Sequence, residues 1–207
     1  MHKTPRASTP RPSFSGASHA MSSPTRFAWF SSPIGDLLLT AREGALTSLH
    51  MIDDRSDHPI PDDWREGDDL LKTASEQLGA YFEGRLQRFD LPINLIGTPF
   101  QLGVWERLRK IPYGETISYM ELARRVGNPS ASRAVGSANG RNPISIIVPC
   151  HRVIAAAGTL GGYGGGLDRK LWLLEHEAHV LGREAPESWA IDKMKGRETP
   201  HLVLDQI

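Results

Sequence analysis

Apolar and polar positions change rhythm several times along the chain. Residues 1–25 are mostly Ser, Thr, Pro, Arg and Ala, with almost no large apolar groups. Such a stretch cannot offset its ordering entropy, so it predicts a disordered extension, within which Met21 competes with Met1 as the start. Phe27-Ala-Trp-Phe30 and Leu37-Leu-Leu-Thr40 flank Ser32-Pro-Ile-Gly35 and predict two strands around a tight turn. A third strand is predicted over Leu46 to Met51, and the acidic, Pro-containing stretch from Asp53 to Asp69 reads as a loop. Leu71, Ala74, Leu78 and Tyr81 or Phe82 fall at helical spacing, predicting a helix over Leu70 to Phe82 that stops at Gly84. These elements make a small mixed α/β unit over residues 26–95.

Residues 91–96 read as a linker into a second unit, residues 96–181, whose pattern is mostly helical. Thr98-Pro-Phe-Gln101 has the form of a capping box with proline at the first helical position. Phe100, Val104, Leu108 and Ile111 then repeat on one face, until Pro112-Tyr-Gly114 stops the helix. Ser118-Tyr-Met-Glu121 predicts a second capping box and a helix ending at Gly127. After Asn128-Pro129, Ser130 is expected to cap a third helix reaching Gly140. Two short helices joined by a tight turn have a helix-turn-helix outline. The apolar, β-branched run Ile144 to Val148 predicts a short buried strand or extended segment ended by Pro149. Ala155 to Gly166 holds six glycines and reads as loop, Leu167 to Ala178 as a final helix, and residues 182–207 as a tail.

Charge adds a contrast that the total hides. Lys plus Arg and Asp plus Glu are 24 each in 207 residues, yet residues 27–95 carry a net −7 and residues 96–180 a net +4. The basic second unit is compatible with a polyanion, but charge alone favours ordinary surface variation. No apolar run approaches the roughly 20 residues that span a bilayer, and residues 1–26 lack the apolar core of a secretory signal. No membrane association and a cytoplasmic location are expected. One cysteine excludes an internal disulfide and a zinc site built on several thiolates.

That cysteine sits in Pro149-Cys150-His151-Arg152-Val153. A lone cysteine is more often a small buried apolar residue than a nucleophile. Its place at the end of an apolar run, a neighbouring histidine and a glycine-rich loop soon after favour the nucleophile. A thiol attacks as thiolate, and an imidazole can help to form one. Neighbours in an extended segment point to opposite faces, so direct contact between the Cys150 sulfur and the His151 ring is not expected; a bridging water or a local turn is needed.

Over residues 98–177 the chain closely resembles the catalytic domain of O6-alkylguanine-DNA alkyltransferases. Seven segments carry the resemblance: Thr98-Pro-Phe-Gln-Leu-Gly-Val-Trp105, Ile111-Pro-Tyr-Gly-Glu-Thr-Ile-Ser-Tyr119, Arg133-Ala-Val, Asn142-Pro, Pro149-Cys-His-Arg-Val153, Gly161-Gly-Tyr-Gly-Gly165 and Leu173-Leu-Glu-His-Glu177. Ser32-Pro-Ile-Gly35 and Tyr81-Phe-Glu-Gly84 resemble the family's first domain. The resemblance implies an α+β two-domain fold. A ribonuclease H-like N-terminal domain precedes a winged-helix-like, DNA-binding and catalytic one.

It also implies site residues. Cys150 is the alkyl acceptor, attacking the carbon on guanine O6. His151 and Glu177 are a relay that reaches the thiol through water, and Asn142 is the hinge between the helix-turn-helix and the active segment. O6 is hidden in duplex DNA, so the base must be flipped out. Arg133 matches the finger that fills the gap. Tyr119 matches the tyrosine that crowds the neighbouring phosphate and donates to the leaving purine. Ala131, Ser132, Ala134 and Gly136, with Ser137 and Ala138, are small and suit a helix entering the minor groove, where little sequence is read. Tyr163, Gly164 and Val153 are expected to line the base pocket, with loop amides bonding O6 as charge develops.

The implied partner is double-stranded DNA carrying O6-alkylguanine, and by extension O4-alkylthymine, and the implied protein is a monomer. Because the damaged DNA is the donor, no cofactor is expected, and the thioether product spends the protein in one turnover. His2, His19, His50 and His58 have no cysteine partner, so the amino-terminal zinc of some members is not expected. The regulatory module of fused relatives is absent, which argues against transcriptional control. Ser145 stands where some members have proline. A lesion-binding module that flips without reacting is the alternative, and Cys150 argues against it. A transcription factor wants polar base-reading side chains on the second helix, and a nucleotide loop wants its lysine earlier than Lys170.

Overall fold

The computed structural model describes residues 23–156 and 158–189, so nearly all of the predicted extension and most of the predicted tail lie outside the described residues. The two strands around Ser32–Gly35 form as β1, Arg26–Ser32, and β2, Gly35–Arg42. The turn closes on itself: Ser32 Oγ donates to the Gly35 carbonyl at 2.6 Å, and Gly35 has the positive φ of 98° that only glycine adopts freely. β3, Ala45–Ile52, follows antiparallel, and β4, Arg65–Glu66, pairs parallel with β1, giving the order β3-β2-β1-β4. β4 lies in the acidic stretch read as loop, too short and too exposed to show any alternation. Against the sheet packs α1, Asp69–Phe82, capped by Asp68, whose carboxylate accepts from Leu71 N at 2.7 Å. Leu71, Ala74, Leu78, Tyr81 and Phe82 are its buried face, as the spacing predicts.

The segment read as a linker is fastened to β3 instead of hanging free. Leu46 N donates to Pro92 O, and Asn94 N to Leu46 O, both at 2.8 Å. Farther along the same strand, Leu49 N donates to Pro143 O at 2.9 Å and Ser145 N to Leu49 O at 3.1 Å. One strand of the first domain thus supports the segment that leads into Cys150.

The second domain opens with α2, Pro99–Leu108, whose reciprocal capping box between Thr98 and Gln101 forms as predicted. Its buried face is Val104, Trp105 and Leu108; Phe100 is 36% exposed and does not join it. α3, Tyr119–Arg125, is capped by Ser118, but Glu121 turns away to ion-pair with Arg124 and Arg125, so only half of the second box exists. α4, Ser132–Gly140, has Ala131 at its cap, not Ser130, whose hydroxyl donates to Asn128 Oδ1 at 2.9 Å. Two-residue strands β5, Ile117–Ser118, and β6, Val153–Ile154, pair in parallel. α5, Leu167–Val180, runs back against both domains, and one apolar cluster is continuous from the β2 leucines to Trp172 and Leu173. The predicted tail begins with structure, since Trp189 is buried beside Leu160, Leu171 and Leu174.

Ile144 to Val148 is not a strand. Ile144 makes an isolated bridge to Leu49, and the chain then turns: Ile147 N donates to Ser145 O and Val148 N to Ile144 O. Ile146 is buried with φ at 68°, a conformation that costs a β-branched residue about 1–3 kcal/mol. The turn survives because Asn142 replaces the missing ladder. Its Nδ2 donates to Ile144 O at 3.3 Å and Val148 O at 2.7 Å, and its Oδ1 accepts from Ile144 N at 3.2 Å. Asn142→Ala would strand these buried groups, and a loss of about 3 kcal/mol is expected in urea denaturation.

Candidate active site

Pro149 ends the turn, and Cys150–Arg152 is a single turn of 3-10 helix, not the end of a strand. Side chains there fan out about 120° apart, so adjacent residues serve different places. Cys150 faces a cavity of about 570 Å³, within the range of small-molecule sites, roughly 300–1,000 Å³. His151 and Arg152 turn inward to Glu177. The sulfur and the imidazole are therefore apart, as the sequence suggests, though by helical and not strand geometry.

Glu177 is fully buried on α5 and accepts hydrogen bonds from four groups. Tyr81 Oη donates at 2.8 Å and Gly114 N at 2.9 Å. Arg152 donates through Nε and Nη2, both at 2.9 Å, and its Nη1 reaches Ile111 O at 2.8 Å. His151 Nε2 lies 2.9 Å from Oε1. Burial pushes the Glu177 carboxyl up, but the charge and hydrogen bonds of His151 and Arg152 outweigh it and hold it far below the usual range. An ionised carboxylate can only accept, so Nε2 carries the proton. Burial lowers the His151 imidazole below its ordinary value, with Glu177 opposing. The ring is then neutral near pH 7 and its Nδ1 is a bare acceptor, buried and without a protein partner.

The Cys150 thiol sits 3.8 Å from Tyr163 Oη. Burial raises its proton affinity; hydrogen bonds from Asn142 and Tyr163 and the charge of Lys170 pull the other way, and burial prevails. Lys170 is itself fully buried on α5, its Nζ donating to Val153 O at 2.7 Å and Leu160 O at 2.5 Å below the rings of Tyr119 and Tyr163. Tyr119 lies between α4 and the glycine-rich loop: a Cβ on Gly136 would be 3.7 Å from its ring, and its hydroxyl donates to Gly162 O at 3.1 Å.

The cavity thus gathers Cys150, Tyr119, Gly136, Asn142, Ser145, Tyr163 and Gly164 from the expected residues, and adds His50, Met51 and Asn139. Val153 does not belong to it: the residue is fully buried in β6 against Ile117. Arg133 and Ala134 are exposed on the outer face of α4, while Ala131 and Ser132 are half-buried at its start. Sequence reading missed Arg152, Lys170, Tyr81 and Asn139. A basic residue inside an apolar periodic face, as Lys170 is, was the only available signal for any of them. Among the described residues no cluster of three or more His, Cys, Asp or Glu has metal-binding geometry, and no helix is long and apolar enough to cross a membrane.

The pair imposes a pH dependence. Both Glu177 and His151 are lowered in the folded state, so each contributes stability that is complete above its unfolded value and lost on acidification. Their joint contribution should decline below pH 6.5, where unfolded His151 takes a proton, and more steeply below pH 4.5, where unfolded Glu177 does. Glu177→Gln should abolish the steeper limb and cost about 3–5 kcal/mol, because Arg152 is left as an unpaired buried charge. Urea denaturation across that pH range measures both.

Comparison with known proteins places both domains in one family. A family model described as "6-O-methylguanine DNA methyltransferase, DNA binding domain" matches residues 99–179, and one described as "6-O-methylguanine DNA methyltransferase, ribonuclease-like domain" matches residues 25–95. A methylated-DNA–protein-cysteine methyltransferase of Methanosarcina acetivorans is 51% identical over 151 residues, 73% of this chain and 97% of its own. One from Mycolicibacterium paratuberculosis is 55% identical over 146 residues, 70% of this chain and 88% of its own. The crystal structure of Mycobacterium tuberculosis OGT in complex with DNA superposes with a TM-score of 0.68 at 48% identity, covering 78% of this chain and 95% of that one. Two matched domains in the same order, around a buried Cys-His-Glu arrangement, make the chain a member of the 6-O-methylguanine DNA methyltransferase family.

Proposed function

We propose that Cys150 is the acceptor in a single-use DNA repair reaction that removes the alkyl group from O6-alkylguanine, and from O4-alkylthymine by the same attack. The observation that carries this reading is the position of Sγ. It lies on the cavity wall under Tyr163, with a neutral, Glu177-oriented imidazole behind it. The thiol proton passes through one water to His151 Nδ1, and Glu177 and Arg152 steady the imidazolium that forms. The thiolate attacks the alkyl carbon in line. The S–C bond forms, the C–O6 bond breaks, and the electron pair leaves on the purine. Amides of the loop at Gly164 and Gly165 receive the charge that develops on O6. The product is a thioether, and thiolate is too poor a leaving group for water to reverse the step. The protein is spent, and no cofactor takes part.

Double-stranded DNA is the proposed partner, met through its minor groove by α4. Arg133, Ala134 and Ser137 are exposed there, and the small side chains let the helix lie close in a narrow groove. Arg133 takes the place of the flipped base, and Ala131, Ser132, Ala134 and Gly136 shape the approach. Tyr119 stands at the cavity edge, between α4 and the loop, where the flipped nucleotide's phosphate must pass. A monomer suffices, since one chain supplies every group named, and the proposed location is the cytoplasm, with the DNA.

Incubation with a duplex containing O6-methylguanine should add the mass of one methyl group to Cys150. Cys150→Ala should take up none while still binding the duplex; a methyl found elsewhere in that variant would refute the assignment. Arg133→Ala should slow transfer from duplex about 100-fold, the equivalent of a flipping cost of a few kcal/mol, and leave reaction with the free modified base nearly unchanged.

A further inference from the structure

The glycine-rich loop cannot hold its own shape. Six of its twelve residues from Ala155 to Gly166 are glycine, each carrying the largest ordering cost of any residue. Something outside must fix it: Tyr119 and Lys170 of the second domain hold Gly162 O and Leu160 O, and the stretch at Gly165 is held against the first domain. Arg169, in the first turn of α5, has a side chain only 16% exposed. Its Nε donates to Ile34 O at 2.8 Å, in the β1–β2 turn, and its Nη2 to Ile52 O at 3.1 Å, at the end of β3. Its Nη1 donates to Gly165 O at 3.3 Å in the loop, and lies 2.9 Å from the Asp53 carboxylate. Asp53 is 93% exposed, so that ion pair contributes little; the carbonyls are the partners that matter. From β3, Met51 presses on the same glycine. A Cβ at Gly165 would lie 2.5 Å from Met51 Sδ and 3.0 Å from the Tyr163 ring. Tyr163 in turn sits 3.8 Å from the Cys150 sulfur. An unbroken line of contacts therefore runs from the first domain's sheet to the roof above the nucleophile.

We propose that Arg169 and Met51 are positioning residues that fix the height of this roof, so that the first domain, which supplies no reacting atom, sets the size of adduct the site accepts. The inference rests on Cys150 being the acceptor. Lysine cannot replace Arg169, because a single ammonium cannot reach three carbonyls spread around a planar fork. A small adduct needs the loop amides close to O6, whereas a bulky one gains when the roof lifts.

The test uses the whole protein in four forms: unmodified, Arg169→Ala, Arg169→Lys and Met51→Ala. Each reacts in single turnover with duplex carrying O6-methylguanine, with duplex carrying O6-benzylguanine, and with iodoacetamide. Cys150 is the only cysteine, so its mass reports all three. Arg169→Ala should lose at least about tenfold in methyl transfer, as misplacement of about an ångström does, with Arg169→Lys giving no rescue. In all three variants the benzyl-to-methyl rate ratio should rise at least about threefold, while iodoacetamide reacts at or above the unmodified rate. An unchanged ratio overturns the inference, whether the rates hold or fall together with iodoacetamide reactivity as loss of folding would make them. Failure of the unmodified protein to capture either group overturns the acceptor role of Cys150 instead.

Discussion

A carboxylate removed from water must be paid for by its partners, and in this protein a single one organises everything around it. Glu177 is fully buried and accepts from Tyr81 in the first domain, from Gly114 beyond α2, and from His151 and Arg152 beside the nucleophile. Dehydrating such a charge costs several kcal/mol, and only a full set of donors around it makes burial tolerable. The donors come from three distant parts of the chain, so forming the set closes the domain interface. The same set decides chemistry. His151 and Arg152 together hold the Glu177 carboxyl far below its usual range, so it stays an ionised acceptor. Hence Nε2 must donate, and Nδ1 is left as a buried acceptor without a protein partner. Stability and reactivity are two readings of one arrangement.

Asn142 plays the corresponding part for the backbone. It satisfies two carbonyls and one amide in a turn that contains the strained, buried Ile146. The turn is what allows Cys150 to begin a helical turn with its sulfur toward the cavity while His151 points the other way. An ordinary strand over Ile144 to Val148 would have run past this point with its side chains alternating. Strain stored in the segment is held by packing on both sides, since Ile144, Ile146 and Val148 all lie in the apolar cluster shared by the two domains.

These particulars explain what could be read from the sequence and what could not. The three long strands, α1, α2 and α5 follow from local patterns, and the cap at Thr98 from a motif four residues long. Cys150, His151, Glu177 and Asn142 stood out once seven segments matched a family in order. Ile144 to Val148 misled because β-branched residues favour strands until a side chain elsewhere offers the backbone other partners. Val153, expected in the base pocket from the resemblance, lies instead in β6, paired with Ile117 of β5 and fully buried. Arg152 and Tyr81 were illegible for a common reason. Each is defined by a partner far along the chain, and Tyr81 meets Glu177 across 96 positions. No local propensity encodes such a pairing.

The protonation state of Cys150 ties the arrangement to the reaction. Burial favours the thiol over the thiolate, although Asn142, Tyr163 and the Lys170 charge reduce the preference. A resting thiolate would need no base, and the unpartnered nitrogen of His151 would be idle. A resting thiol makes proton removal part of the attack, so the nucleophile appears only while an acceptor for its proton and a carbon for its electron pair are both in place. For a residue that reacts once, that coupling ties capture to an electrophilic carbon seated in the cavity within reach of the sulfur. It also explains why so much of the fold serves a neutral imidazole: Glu177 orients it, Arg152 helps to keep Glu177 ionised, and Tyr81 carries the same constraint into the other domain.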